Sequence, residues 1–362
     1  MNTFTNQVTR TDEKTRRKTS HHDTVHDVST FTDAKTGKVY VVSGGGDNTV
    51  NIWDALGGTL VNTLRGHTND VLAVSTFTDA HRINVSHNEL IKYISKDVVE
   101  HIVLPYSKYS FYIVSGSRDK TIKIWDALGG TLVKTLSGHT GSVRAVSTFT
   151  DTKTGKVYVV SGSVDMTVKI WDALDGTLVK TLSGHTKYVG SVSTFTDAKT
   201  QKVYVVSGSG FRDKTVKVWD ALGGSLVKTL SGHTGRVRAV STFTDTKTGK
   251  VYIVSGGGHR DKTIRVWDAL DGTLVKTLRD HTYAVLAVST FTDAKTGKVY
   301  VVSGSRDNTV KVWDALGGTL VKTLIGHTTC ITSVSTFTDA KTGKVYVVSG
   351  SYDKTVKLWQ FE

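Results

Sequence analysis

The chain has 362 residues and a formal charge of +14, a length that allows two or three domains of ordinary size or one large repeat domain. Its 38% apolar content excludes wholesale disorder, no stretch approaches the ~18 apolar residues of a membrane span, and the polar opening lacks a signal-peptide core. The one cysteine, Cys330, excludes an intrachain disulfide and a cysteine-based zinc site, so the chain is expected to be soluble and intracellular, cytoplasmic or nuclear.

Almost everything else is repetition. The unit is V-S-T-F-T-D-A-K-T-G-K-V-Y-V-V-S-G-S-x-D-x-T-V-K-x-W-D-A-L-x-G-T-L-V-K-T-L-x-G-H-T, and its tryptophans stand at 53, 125, 171, 219, 267, 313 and 359. Their steps are 72, 46, 48, 48, 46 and 46, so the basic period is 46 residues. Residues 1–10 read as a tail and residues 11–362 as a single domain of seven units. Each unit parses into four short strands. V-x-A-V-S-T-F-T comes first, and K-V-Y-V-V-S, continuously apolar, suits a strand covered on both faces. T-V-K-I-W-D is third, and T-L-V-K-T-L, alternating in polarity, suits an exposed edge. Glycine-bearing turns separate them. Four-stranded sheets repeated seven times bury their faces by radial stacking, which predicts an all-β propeller of antiparallel blades.

Along the chain, residues 11–20 precede the first unit, and the last unit stops after its third strand, so 11–20 are expected to supply the missing fourth strand and close the ring. The alternative is Phe4 to Val8 in a slipped register. In unit two, His81 to Ser110 replace the K-T-G-K of other copies. This insert has the capping box Ser86-His87-Asn88-Glu89, then Leu90, Ile91, Ile94, Val98 and Ile102 at helical spacing before Pro105. It is either a partner-binding helix or a translated intron. Units four and five each gain two residues, Gly210-Phe211 and Gly258-His259.

The G-H pairs (Gly66-His67, Gly138-His139, Gly184-His185, Gly232-His233, Gly326-His327), the turn aspartates and the W-D pairs from Trp53-Asp54 onward resemble the WD-repeat β-propeller family. Ser20-His21, Asp280-His281 and Trp359-Gln360 depart from the pattern. The near-identity of the copies is similar to the propeller ends of fungal and bacterial signalling and vegetative-incompatibility proteins. The resemblance implies a non-catalytic interaction platform, and in each blade a buried chain of hydrogen bonds from Trp through Ser and His to Asp: Trp171, Ser161, His139 and Asp165 in one, Trp219, Ser207, His185 and Asp213 in the next. A hydrolytic triad uses the same residue types, but a set that recurs seven times reads as structure. No phosphate loop, dinucleotide fingerprint or H-E-x-x-H occurs, and no cofactor or metal site is expected. No cysteine or acidic residue repeats alongside His21, His22 and His26 at ligand spacing, so they read as a fold histidine with polar surface neighbours, and Asn84-Val85-Ser86 reads as a chance glycosylation match.

Comparing the copies with one another locates the variation. It gathers just after G-H-T and just before the turn Asp, two places that the resemblance puts on one face, the top, around the channel mouth. Pairs two residues apart at the start of the first strand, such as Ser142/Arg144, Tyr188/Gly190 and Arg236/Arg238, are expected to point the same way. That face would gather Arg118, Arg144, Arg212, Arg236, Arg238, Arg260 and Arg306 against Asp70, with Tyr188, Phe211, His259 and Tyr352 beside them. Arginine and aromatic residues anchor interfaces, so the expected partner is another protein offering an acidic or phosphorylated segment to a monomeric propeller. Neutral variation in tolerant loops is the plain alternative. The opposite face repeats Lys35 and Lys38 through Lys199/Lys202 to Lys341/Lys344, which leaves nucleic-acid binding as a second class of function, or else a merely solubilising ring.

Overall fold

The computed structural model describes residues 2–4, 21–81 and 108–361. Its 28 strands form seven four-stranded antiparallel sheets, as the repeat predicts. Among the described residues there is no helix, and so none long and apolar enough to cross a membrane. The helix expected within the insert lies outside the described residues. The ends of that insert do not: β6 (Val71–His81) and β7 (Lys108–Ser117) continue into it as a hairpin, pairing Asp79 with Ser110 and His81 with Lys108.

The third blade shows why the unit folds as it does. β10 (Val143–Thr150) lies innermost, followed outward by β11 (Val157–Ser163), β12 (Val168–Asp172) and β13 (Leu178–Leu182). All of β11 is buried, which is why its apolar run shows no alternation, while β13 buries only Leu182. Its sheet packs face-on against the fourth blade. Phe149 and Val160 meet Val189, Val192, Val205 and Trp219 in one shared core. Burying a side chain of this size stabilises by about 2–3 kcal/mol, so each blade interface rests mainly on its neighbour's tryptophan and valines. The approach is close enough to dictate Gly162, where a Cβ would lie 2.7 Å from Val189 Cγ1. The same clash recurs at Gly44 and Gly116, so the S-G of the repeat is a packing requirement.

Polar contacts complete the ring. In every blade the inner-strand threonine hydroxyl donates to the carbonyl of its counterpart in the preceding blade, as from Thr148 to Thr76 and from Thr194 to Thr148, both 3.1 Å. The series returns to its start where Thr30 of β2 (Val25–Thr32) reaches Thr336 of β26 (Ile331–Thr338) at 3.4 Å. The last blade, β26, β27 (Val345–Ser351) and β28 (Val356–Phe361), takes its fourth strand from the beginning of the chain. That strand is β1, Asn2–Phe4, rather than the expected 11–20 or the whole of Phe4 to Val8. Residues 5–20 lie outside the described residues. Asn2, Thr3 and Phe4 face Leu358, Lys357 and Val356, the register that Asn62, Thr63 and Leu64 hold in blade one. Counting back from His21 misplaced the strand because 17 positions separate Phe4 from His21, against three from Leu64 to His67.

Candidate functional site

The His, Ser, Asp and Trp line up in a linear chain of hydrogen bonds, complete in every unit except blade five. Trp171 Nε1–H donates to Ser161 Oγ at 2.9 Å, Ser161 lies 2.8 Å from His139 Nε2, and His139 Nδ1 lies 2.6 Å from Asp165 Oδ2. Burial lowers the pKa of His139, so a neutral ring bonds Ser161 on one side and Asp165 on the other. Burial pushes the Asp165 carboxyl up, but hydrogen bonds from Thr167 and His139 outweigh it and hold it at about 2. Ser161 is fully buried and offers no approach to a substrate, so the chain ties two turns of the blade together.

Blades four and five deviate. His185 Nδ1 stands 3.2 Å from Asp213, and His233 Nδ1, 3.0 Å from Asp261 Oδ2, has no aligned hydrogen-bond partner. These are the two blades with inserted residues before the Asp. Their other links are retained, with Trp219 Nε1–H at 2.8 Å from Ser207 Oγ and Ser207 at 2.8 Å from His185 Nε2.

The insertions reshape the top face, the end of the ring carrying these His–Asp turns. Gly210 lies against Tyr188, whose ring would be 2.4 Å from a Cβ there, and Gly258 lies against Arg236, with Cγ at 2.6 Å. Each inserted glycine therefore makes room for the side chain that varies in its own blade. Between them opens a cavity of about 240 Å³ lined by Phe211, Lys214, Thr234, Arg236, His259 and Arg260. Arg260 covers the Phe211 ring at 5.2 Å, and His259 stacks on Tyr283 at 5.3 Å. Arg212, exposed with φ of +85°, carries the turn beside Phe211.

Arg144 and Arg238 belong to a second cavity, the central channel of about 260 Å³. The expectation that Arg236 and Arg238 share one direction assumed a regular strand. Instead β18 (Val237–Thr244) and the other inner strands bulge one residue in, between Val237 and Ala239 in this blade. Arg236 therefore lines the rim cavity and Arg238 the channel. Tyr188 joins both regions, since Arg144 lies 5.4 Å over its ring. Arg118 is neutralised by Asp70 at 3.2 Å, while Arg306 is exposed on blade six. Tyr352 meets His26 edge-on at 6.3 Å across the channel from Arg144 and Arg238.

One channel residue escaped the comparison of copies. Asp27 stands where other units place Ala or Ser, and its carboxylate accepts from Val28 N–H at 2.9 Å, from Val74 N–H at 2.8 Å and from the Ser333 hydroxyl. Burial raises its pKa to about 6 against these hydrogen bonds. The signal was a lone Asp in an otherwise apolar V-x-A-V strand. On the opposite face, one lysine of the turn in each of five blades shares its charge with the W-D aspartate, as Lys156 does with Asp172 at 3.0 Å and Lys202 with Asp220 at 3.9 Å.

Seven segments, 13–54, 94–126, 130–172, 176–220, 224–268, 272–314 and 318–360, match the family described as WD domain, G-beta repeat. The chain belongs to the WD-repeat family. It is 36% identical over 126 residues to nuclear distribution protein PAC1 of Coccidioides posadasii, covering 35% of this chain and 24% of that protein. It is 34% identical over 127 residues to nuclear distribution protein nudF 1 of Talaromyces marneffei, covering 29% and 26%. With autophagy-related protein 16 of Arabidopsis thaliana the identity is 29% over 119 residues, covering 30% and 23%. The matches thus span about a quarter of the length of these relatives.

Proposed function

We propose that this propeller is a non-catalytic, intracellular protein-interaction scaffold whose top face takes an acidic or phosphorylated segment of a partner protein. The observation that carries this reading is an unmet charge. Arg236 and Arg260 border an aromatic-walled cavity with no ion-pairing carboxylate among the described residues, whereas Arg118 on the same face has Asp70. Guanidinium forks match carboxylate and phosphate oxygens, and Phe211 supplies apolar anchorage. The local similarity to proteins named for nuclear distribution supports a role in the cell interior. Reversing Arg236 and Arg260 to Glu should abolish capture of an immobilised mixture of acidic and phosphorylated peptides. Reversing Lys199 and Lys247 on the bottom face, an equal change in net charge, should leave capture intact. Equal loss in both pairs would leave only overall charge. That outcome would revive the nucleic-acid reading, which requires an affinity falling steeply and regularly with salt.

A further inference from the structure

A second unanswered electrostatic demand lies at the channel mouth, apart from the rim. Arg238 projects from the β18 bulge into the channel wall, and its Nε is buried without a hydrogen-bond partner. Burial and the neighbouring Arg236 and Arg144 all disfavour its charge. None of these three arginines has an ion-pair partner among the described residues. Arg238 is half-buried, and a sheltered guanidinium donor left unpaired is costly, so its retention calls for an acceptor that arrives from outside.

The surrounding shape indicates what that acceptor is. Around the ring, the bulged position carries His26, Leu72, Arg144, Gly190, Arg238, Leu286 and Thr332 in turn. Gly190 therefore leaves a notch flanked by two guanidiniums. Over the notch lies the Tyr188 ring, 3.2 Å from where a Cβ at position 190 would stand. Its face is covered by Arg144. The acidic groups around His26, namely Asp23, Asp27 and Asp70, sit in blades one and two, where Asp70 pairs with Arg118 and His26, Asp23 accepts from Thr24 N–H, and Asp27 is saturated by its own hydrogen bonds.

The geometry points to a seat for one phosphorylated side chain, held between Arg144 and Arg238 beneath Tyr188; this rests on the reading of the top face as a segment-binding surface. A phosphomonoester brings a charge of roughly −1.5 to −2 and three acceptor oxygens, enough to engage both guanidinium forks, whereas a carboxylate brings one charge and two oxygens. The chain attached to it would leave the channel over Arg236 toward Phe211, because Arg236 and Arg238 join the two cavities.

Calorimetric titration of the full chain tests the seat with three probes: a hexapeptide phosphorylated on a central serine, the same peptide with glutamate there, and inorganic phosphate. The phosphopeptide should bind saturably and at least tenfold more tightly than either other probe. Arg238→Gln and Arg144→Gln should each weaken it at least tenfold, while Lys199→Gln on the opposite face, an equal change in net charge, stays within twofold of the parent. Melting curves check that Arg238→Gln folds, and Arg144→Gln, which has no orphaned buried atom, carries the test if it does not. Equal binding of the glutamate peptide would make this a carboxylate seat, and equal binding of inorganic phosphate a free-ion site; either overturns the proposal. So would undiminished phosphopeptide binding in Arg144→Gln and Arg238→Gln. In that case continued loss of peptide capture on reversing Arg236 and Arg260 would leave the broader rim reading standing.

Discussion

Thr30 donates its hydroxyl to the backbone carbonyl of Thr336 at 3.4 Å, joining the first blade to the last without help from the chain's beginning. The same seam holds Thr332 Oγ to Val25 O at 2.7 Å and Val28 N–H to Ser333 Oγ at 3.1 Å. Closure therefore has two layers, an inner-strand seam and the short outer strand Asn2–Phe4 against β28.

Deleting residues 1–10 should consequently lower the melting temperature by about 2–6 °C, the effect of roughly 1–2 kcal/mol, while the ring stays folded. Removing β1 leaves the Val356–Leu358 edge unpaired and open to association. Differential scanning calorimetry and light scattering check both effects. An unchanged melting curve would mean that β1 contributes nothing to closure.

The His–Asp pairs should not be equivalent. Asp165→Asn breaks a 2.6 Å contact to His139 and should cost about 1–3 kcal/mol. Asp261→Asn should cost about half as much, because His233 makes no aligned hydrogen bond to that carboxylate. Urea denaturation midpoints of the two variants report the difference.

Two pH effects of opposite sign are expected. Asp27 has its pKa raised from 3.8 to about 6, so the folded state holds the proton more tightly and this residue's contribution to stability declines as pH rises from about 4 to 6. Asp27→Ser, the residue found at Ser191 and Ser333, should remove that decline and stabilise the protein at pH 7 by roughly 1–3 kcal/mol. Asp119 and Asp165, lowered to about 2, stabilise above pH 4, and their contribution is lost as pH falls toward 2. Melting temperatures from pH 3 to 8 for the parent and Asp27→Ser separate the two contributions.

The inserted glycines offer a test of the site that leaves its charges in place. Gly258→Ala puts a methyl group 2.6 Å from Arg236 Cγ and should displace that side chain, weakening peptide capture several-fold at nearly unchanged melting temperature. Ala at Gly155, a bottom-face turn with nothing near its Cβ, serves as the control for position, though its φ of +71° should cost about 1 kcal/mol. If the two variants capture peptide alike, the packing of Gly258 on Arg236 does not shape the site.

The sequence by itself determined the blade. The 46-residue period, the continuous apolar second strand and the Trp, Ser, His and Asp positions are all local patterns, and each is answered by an interaction within one unit or with the next identical one. The arginines and aromatics of the top face were legible too, because internal copies expose variation without any other protein for comparison. What tertiary structure decided is how those residues are divided. A bulge one residue long sends Arg236 to the rim and Arg238 to the channel, and a bulge has no signature in V-R-A-V. Closure by Asn2–Phe4 was equally hidden, since pairing across the whole chain depends on which edge is vacant, not on distance along the sequence. Asp27 belongs to the same class: its cost and its partners, Val74 and Ser333, come from blades that only the closed ring brings together.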